Sequence, residues 1–227
     1  KKYFINDKSK DLVELYLNIK SDENEKLFKS LKAINSYWKL IDSIYLTNRD
    51  TFFDIYIDFR KSNKSDLKWI IEHLIDNIKD QFIKPIAKTF NYDFKFYIKE
   101  VKLNLSRKMT RMKQIELQKG KLSDSDVDLN ILTALKSAFY MYIRQLYNKP
   151  EKYGFDTMVF SSVYYFIRNY TYSGMFRYNS NGDFNVPYGG IGYNKNNLDK
   201  KISYISGDLI QSKLKKTVIE HNDFYDF

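Results

Sequence analysis

Residues 168–194 read RNYTYSGMFRYNSNGDFNVPYGGIGYN, and they divide the chain into a helical body and one irregular finger. Five of the eight glycines, Gly174, Gly182, Gly189, Gly190 and Gly192, fall within nineteen residues here. Glycine lacks the Cβ that excludes positive φ, so this clustering marks turns and close backbone approaches rather than a helix. The stretch predicts a hairpin with its turn at Asn181 and Gly182. One limb carries an aromatic (Tyr172), a small step (Ser173, Gly174), an apolar side chain (Met175) and a guanidinium (Arg177). The return limb brings Asn185, Pro187 and Tyr188 alongside. Such a hairpin is equipped to enter a DNA groove, where Arg pairs with the two major-groove acceptors of guanine and an aromatic wedges into a base step. Taken alone, an Arg and several Tyr on a hairpin more often describe ordinary protein surface.

On either side the pattern is helical. A helix over residues 157–170 leads into the finger. Upstream, Leu27, Leu31, Ile34, Trp38, Ile41 and Tyr45 recur at helical spacing, as do Leu67, Ile70, Ile71, Leu74 and Ile78. Val127, Ile131, Leu135, Ala138, Tyr142 and Leu146 mark a helix that ends before Pro150. These stripes carry core residues and no chemistry. Pro85 is expected to break its helix, residues 92–105 fit a strand or a helix, and residues 120–128 read as a loop. At the two ends of the chain the pattern changes. Residues 2–6 predict a short buried strand stopping at Asp7, followed by a helix over 9–20 with Leu12, Leu15, Tyr16 and Ile19 on one face. Residues 209–216 predict a short helix and 217–219 a buried strand ending near His221.

Composition sets the class. Hydrophobic residues make up 43% of 227, too many for a disordered chain, while no stretch approaches the roughly 20 apolar residues of a membrane helix. The sequence has no Cys and only His73 and His221, so neither a disulfide framework, a thiolate nucleophile nor a structural zinc site is expected. The first residues, from Lys1 to Phe4, include no Met and no secretory signal, so the chain reads as a fragment with cytoplasm as the default setting. The net charge is +10, and its placement is informative: from Lys95 to Lys121 nine basic residues, among them Arg107, Lys108 and Arg111, face only Glu100 and Glu116. A concentrated basic segment suits a polyphosphate partner, because each neutralised phosphate releases a counterion. A Lys-rich composition alone would also produce it.

The strings SGMFRYN and GDFNVPYG resemble the target-recognition hairpin of the Dam-like DNA adenine-N6 methyltransferase family, in which an aromatic, Gly, an apolar residue and Arg precede Tyr-Asn, and Phe-Asn-Val-Pro-aromatic-Gly follows a short turn. Ile5, Asn6 and Asp7, followed by Asp11 and Leu12, resemble the family's strand end whose carboxylate holds the ribose of S-adenosylmethionine. Asn222, Asp223 and Phe224 resemble the Asp-Phe that lines the cofactor's adenine. The resemblance implies that Asp7 binds ribose and that Asp223 and Phe224 flank adenine. It implies that Arg177 reads a guanine, that Tyr172, with Ser173 next to it, sits beside an extruded base, and that Met175 and Pro187 touch base edges. Asn179 and Asn185 are expected to hold the hairpin through side-chain hydrogen bonds, and Arg107, Lys108 and Arg111 to touch the DNA backbone. Without the resemblance, Asp7 reads as a helix cap and Phe224 as a core aromatic.

Ser173 stands where the family often has Asn, and Gly190 and Ile191 where a basic residue often follows, so no target sequence is carried over. Neither the Gly-rich loop that receives the cofactor's methionine part nor the Asp-Pro-Pro-Tyr that positions the flipped base is present, so no catalytic residue is assigned. The expectation is an α/β protein, a Rossmann-like methyltransferase edge with a large, mainly helical DNA-recognition domain carrying a β-hairpin, mostly α in this chain. Residues 1–21 and 206–227 would belong to the cofactor-binding domain, 22–150 to a helical insert with the basic segment 95–121, and 151–205 to target recognition. The parent would be an enzyme, the chain alone inactive. Its partners would be duplex DNA and the rest of the methyltransferase chain or a complementary fragment, with S-adenosylmethionine bound only when the missing segments are present and no membrane or metal involved. Two other readings compete: a non-catalytic DNA-binding specificity module, and a basic helical protein that binds RNA or acidic partners by charge.

Overall fold

A computed structural model describes residues 2–62, 66–87, 90–223 and 225. The chain is mostly helical, with a single two-stranded sheet among the described residues. It divides into two compact units: residues 1–35, 143–185 and 197–227 form one, and residues 36–142 and 186–196 the other.

The first unit is built on a small parallel sheet. Strand β1 (Tyr3–Asn6) pairs with β2 (Thr217–Glu220) in the register Tyr3 to Thr217 and Asn6 to Glu220. Helix α1 (Lys10–Lys20) follows β1 directly and buries Leu12, Val13, Leu15 and Ile19, the stripe its spacing predicts, with Tyr16 at its margin. It packs on α7 (Thr157–Tyr170) and on α9 (Asp208–Lys215). Asn18, buried in α1, donates to Thr157 O at 3.0 Å and Ser161 Oγ at 2.9 Å, so the amide loses no hydrogen bonding on leaving water. The Asp156 carboxylate caps α7 by accepting from Val159 N, as expected of an Asp just before the first turn. The start of α2 (Glu25–Thr47) adds buried Leu27, Leu31 and Ile34. Helix α8 (Asp199–Ser206) is tied to it where Asn35 accepts from Leu198 N.

The second unit is a helical bundle: the rest of α2, then α3 (Arg49–Lys61), α4 (Leu67–Ala87), α5 (Phe94–Lys119) and the larger part of α6 (Asp124–Asn148). Its centre is aromatic. Tyr97 stacks on Tyr142 with ring centroids 5.1 Å apart and meets Tyr37 and Phe139 edge-on. The hydroxyls are satisfied in place: Tyr37 donates to Phe82 O at 2.7 Å and Tyr142 to Tyr92 O at 2.7 Å. The buried Lys136 ammonium donates to Asp42 and to Asn194 O, over the face of Trp38. Burial pulls its pKa down and Asp42 opposes the shift.

Three expectations are corrected, and one left open between strand and helix is settled. Pro85 lies inside α4, which continues to Ala87; its ring carries no N–H, so the helix goes on without the hydrogen bond that residue 85 would donate to the carbonyl of Gln81. Residues 94–105 are helical, belonging to α5, whose start is fixed by the Asp93 side chain accepting from Phe96 N. The loop predicted over 120–128 closes sooner, because Ser123 and Asp126 form a reciprocal cap that starts α6 at Asp124. The strands are not buried: Phe4 is 60% exposed, Tyr3 41% and Val218 38%. A parallel strand is buried only where both faces of its sheet are covered, and in this unit α1 and α9 pack on β2 without covering these side chains. Within α4 the core stripe is Leu67, Ile71, Ile75, Phe82 and Ile86, leaving Ile70, Leu74 and Ile78 at its margin.

Candidate nucleic-acid interface and strand-end site

Parallel pairing of β1 and β2 places their C-terminal ends side by side. Asp7 N still donates to Glu220 O at 3.4 Å, and the Asn6 side chain accepts from Asn222 N at 2.9 Å. Asp7 Oδ1 accepts from Ser9 N at 2.7 Å, the turn that starts α1, while Oδ2 takes no hydrogen bond from the described residues. One carboxylate oxygen is thus fixed and the other is open to a further donor. Lys8 bridges across to Asp223 Oδ2 at 2.7 Å, so the two carboxylates sit on neighbouring strand ends. Phe224 lies outside the described residues. In open parallel sheets, ligands bind outside the carboxyl ends of the strands, and this is where both aspartates stand.

The finger occupies the same unit up to Asn185. It has the predicted hairpin turn, reduced to one antiparallel bridge between Tyr178 and Phe184. Asn179 N donates to Asp183 O at 2.8 Å, and the Asn179 side chain accepts from Asn181 N and Asp183 N. Gly182 turns the chain at φ 78°. Asn179 therefore serves the turn itself. Asn185 uses its side chain differently, accepting from Arg177 Nε at 3.4 Å.

Inward-pointing rings root the finger. Phe176 packs on Tyr164 and Phe184, and Phe184 meets Tyr147 edge-on. Asn148 brackets Phe184, donating to its carbonyl at 3.0 Å and accepting from its N–H at 2.9 Å; one side chain thus stands in for a missing strand. Lys149 pairs with Asp183 at 2.9 Å. With the rings inside, Tyr172, Ser173, Met175, Arg177 and Asn179 are exposed, Tyr172 to 51%. The terminal guanidinium nitrogens of Arg177 make no hydrogen bond among the described residues, so the fork is open to a bidentate acceptor.

One connection had no forerunner in the sequence. Tyr147, buried in α6, donates to Asp11 in the first turn of α1, and its oxygen lies 3.0 Å from that of Tyr178 on the finger. Burial, then these two partners, raise the Tyr147 pKa. The start of α1 and the finger are therefore joined through one phenol. Nothing local marks it, since the three residues belong to three separate stretches of chain.

The other site residues belong to the second unit. Pro187 is exposed between buried Val186 and Tyr188; Val186 O accepts from Tyr140, and Tyr188 packs on Trp38 and Tyr140. Arg107 and Arg111, one turn apart on α5, are exposed. Lys108 is half-buried, and desolvation pulls its pKa down. The basic segment is not uniformly available: Lys102 pairs with Asp76 at 2.8 Å, and Lys113 donates to Phe59 O and Ser62 O, closing the end of α3. Among the described residues no His/Cys/Asp/Glu cluster could hold a metal, and no helix is long and apolar enough to cross a membrane. No protein-family model, no curated protein and no solved structure matches this chain.

Proposed function

We propose that this chain is the duplex-recognition segment, with one edge of the S-adenosylmethionine site, of a site-specific DNA adenine-N6 methyltransferase of the Dam-like type, set on a Rossmann-like edge. The observation that carries the reading is the finger's division of labour. Its hydrophobic rings are spent on anchorage, and Tyr172, Met175 and Arg177 are left outside, in the same unit as the paired strand ends that hold Asp7 and Asp223.

On this reading Arg177 donates two N–H groups to O6 and N7 of a guanine, the geometry that distinguishes it from the other bases. Asn185 steadies the guanidinium from its Nε side. Tyr172 fills the space left by an extruded base, and Met175 and Pro187 make apolar contacts to base edges. Asn179 keeps the turn in shape. Arg107 and Arg111 take phosphates, with Lys108 the least ready of the three because its charge is already partly desolvated. Asp7 accepts from the ribose hydroxyls of the cofactor, while Asp223 and Phe224 lie on its adenine side. Bound, S-adenosylmethionine supplies the electrophilic methyl group. The parent enzyme brings the Gly-rich loop and the Asp-Pro-Pro-Tyr, from the rest of its chain or from a complementary fragment.

Duplex binding by fluorescence anisotropy, for the chain and for Arg177→Ala over a panel of sequences and salt concentrations, tests this. Arg177→Ala is expected to lose about 1–3 kcal/mol on the preferred duplex and little on others. A loss equal on all sequences would reduce Arg177 to a phosphate contact and sink the recognition role.

A further inference from the structure

A concave surface of the helical bundle lies apart from the finger and the strand ends and takes in the first lysines of the basic segment. Helices α4 and α5 leave between them a groove of about 810 Å³. Its two ends show how the helices run: Ile83 lies with Phe94 and Lys95 at one end, and Lys68 with Ser106 at the other, while the Asp76–Lys102 ion pair crosses the middle. The helices are therefore antiparallel along the groove, which spans roughly 22 Å at 1.5 Å per residue from Lys68 to Ile83. The floor is apolar, formed by Ile83, Phe94, Ile98 and Leu103.

The rim is cationic. Asp76 is neutralised by Lys102, whose hydrogen bond lowers the carboxyl pKa. What remains is Lys68 and Lys79 on α4 and Lys95 and Lys99 on α5, against Glu72; among the described residues none of these four lysines forms a salt bridge. An apolar floor between unpaired ammonium groups selects an occupant that is apolar on one side and acidic at its flanks. Its backbone must also be satisfied internally, because two helices offer an extended segment no free N–H or C=O to pair with. Lys68 and Lys79 stand about 16 Å apart by the same rise, so a small amphiphile with one anionic head reaches only one of them. A nucleic-acid backbone would use the lysines and leave the floor uncovered.

We infer that the α4–α5 groove is the docking site for an amphipathic helix of a partner protein, with an apolar stripe seated on Ile83, Phe94, Ile98 and Leu103 and acidic residues flanking it. The interaction is independent of base recognition and gives this chain a protein partner as well as a nucleic-acid one.

The probe is a designed helix of roughly 18 residues with Leu at positions i, i+3, i+4 and i+7 and Glu on the flanks. Companions are a scrambled version and one with Lys replacing Glu. Binding is read by peptide anisotropy and by the fluorescence of Trp69, which sits exposed on α4 beside Lys68. The acidic helix is expected to bind at least tenfold tighter than either companion, and to weaken at least tenfold with Lys95→Glu/Lys99→Glu. That double variant, at exposed positions, should gain affinity for the Lys-flanked helix, which a misfolded protein would not. Equal binding of acidic and scrambled peptides overturns the proposal. So does a double variant that loses duplex DNA binding while holding the acidic helix as before, since the lysines would then serve phosphates.

Discussion

Ser173 sits at φ 52° and ψ 20°, one of two non-glycine residues with positive φ among those described, and is followed by Gly174 at φ 64°. Two successive left-handed residues turn the chain sharply between Thr171, which is buried at the end of α7, and Met175, which is exposed. For an L-residue with a Cβ this conformation costs about 1 kcal/mol. Ser173→Gly should therefore raise the unfolding free energy by up to about 1 kcal/mol in a denaturant melt, with the entropy of the freer chain offsetting part of the gain. A loss of stability would show that the Ser hydroxyl contributes more than the backbone costs. The Ser is plain in the sequence and its strain is not, because φ at this position is imposed by where α7 ends and where Phe176 must be buried. Gly189 needs its lack of a Cβ for another reason: an added Cβ would come within 2.4 Å of the Tyr193 ring.

The finger holds its shape at the level of the element. A single bridge between Tyr178 and Phe184 is too little to sustain a hairpin in water, so stability comes from the ring cluster, from Asn148 and from Lys149. The Lys149 hydrogen bond holds the Asp183 carboxyl below the usual carboxylate value of 3.8. With the folded pKa depressed, this contact is in full force above the unfolded value and is lost as pH falls through the folded one. Below about pH 4 the amide resonances of Gly182 and Asp183 should shift toward positions typical of a loose loop, and Lys149→Met should remove that acid transition at these sites. An unchanged transition in Lys149→Met would assign it to another carboxylate. At this scale the sequence was most legible. The stripes from Leu27 to Tyr45 and from Val127 to Leu146 are buried as their spacing predicts, because burial on a helix repeats with the helix's own period. The stretch from Phe94 to Leu105 could not be assigned that way, since Tyr97, Val101 and Leu105 face the core while Phe96 and Leu103 are only partly covered, which blurs the period.

For the whole molecule, the net charge of +10 matters less than which cations remain unpaired. With Lys102 and Lys113 committed inside the bundle, Arg107→Ala and Arg111→Ala should each weaken duplex binding about equally on all sequences. Each should also reduce the slope of log affinity against log salt by about 1, measured beside Arg177→Ala, which should leave that slope nearly intact. An unchanged slope in both α5 variants would remove this helix from the DNA interface. What the sequence determined by itself was local: which segments are helical, where the chain turns, and which side chains a glycine-rich finger offers, because caps, turns and amphipathic periods act within a few residues. It also carried the family resemblance in two short strings. The tertiary structure alone decided that Asp7 and Asp223 stand on adjacent strand ends, that Tyr147 ties Asp11 to Tyr178, and that α4 and α5 enclose a lysine-rimmed groove. The first two join residues far apart along the chain and the third pairs two consecutive helices along their length; such pairings are set by burial and hydrogen bonding in the folded whole.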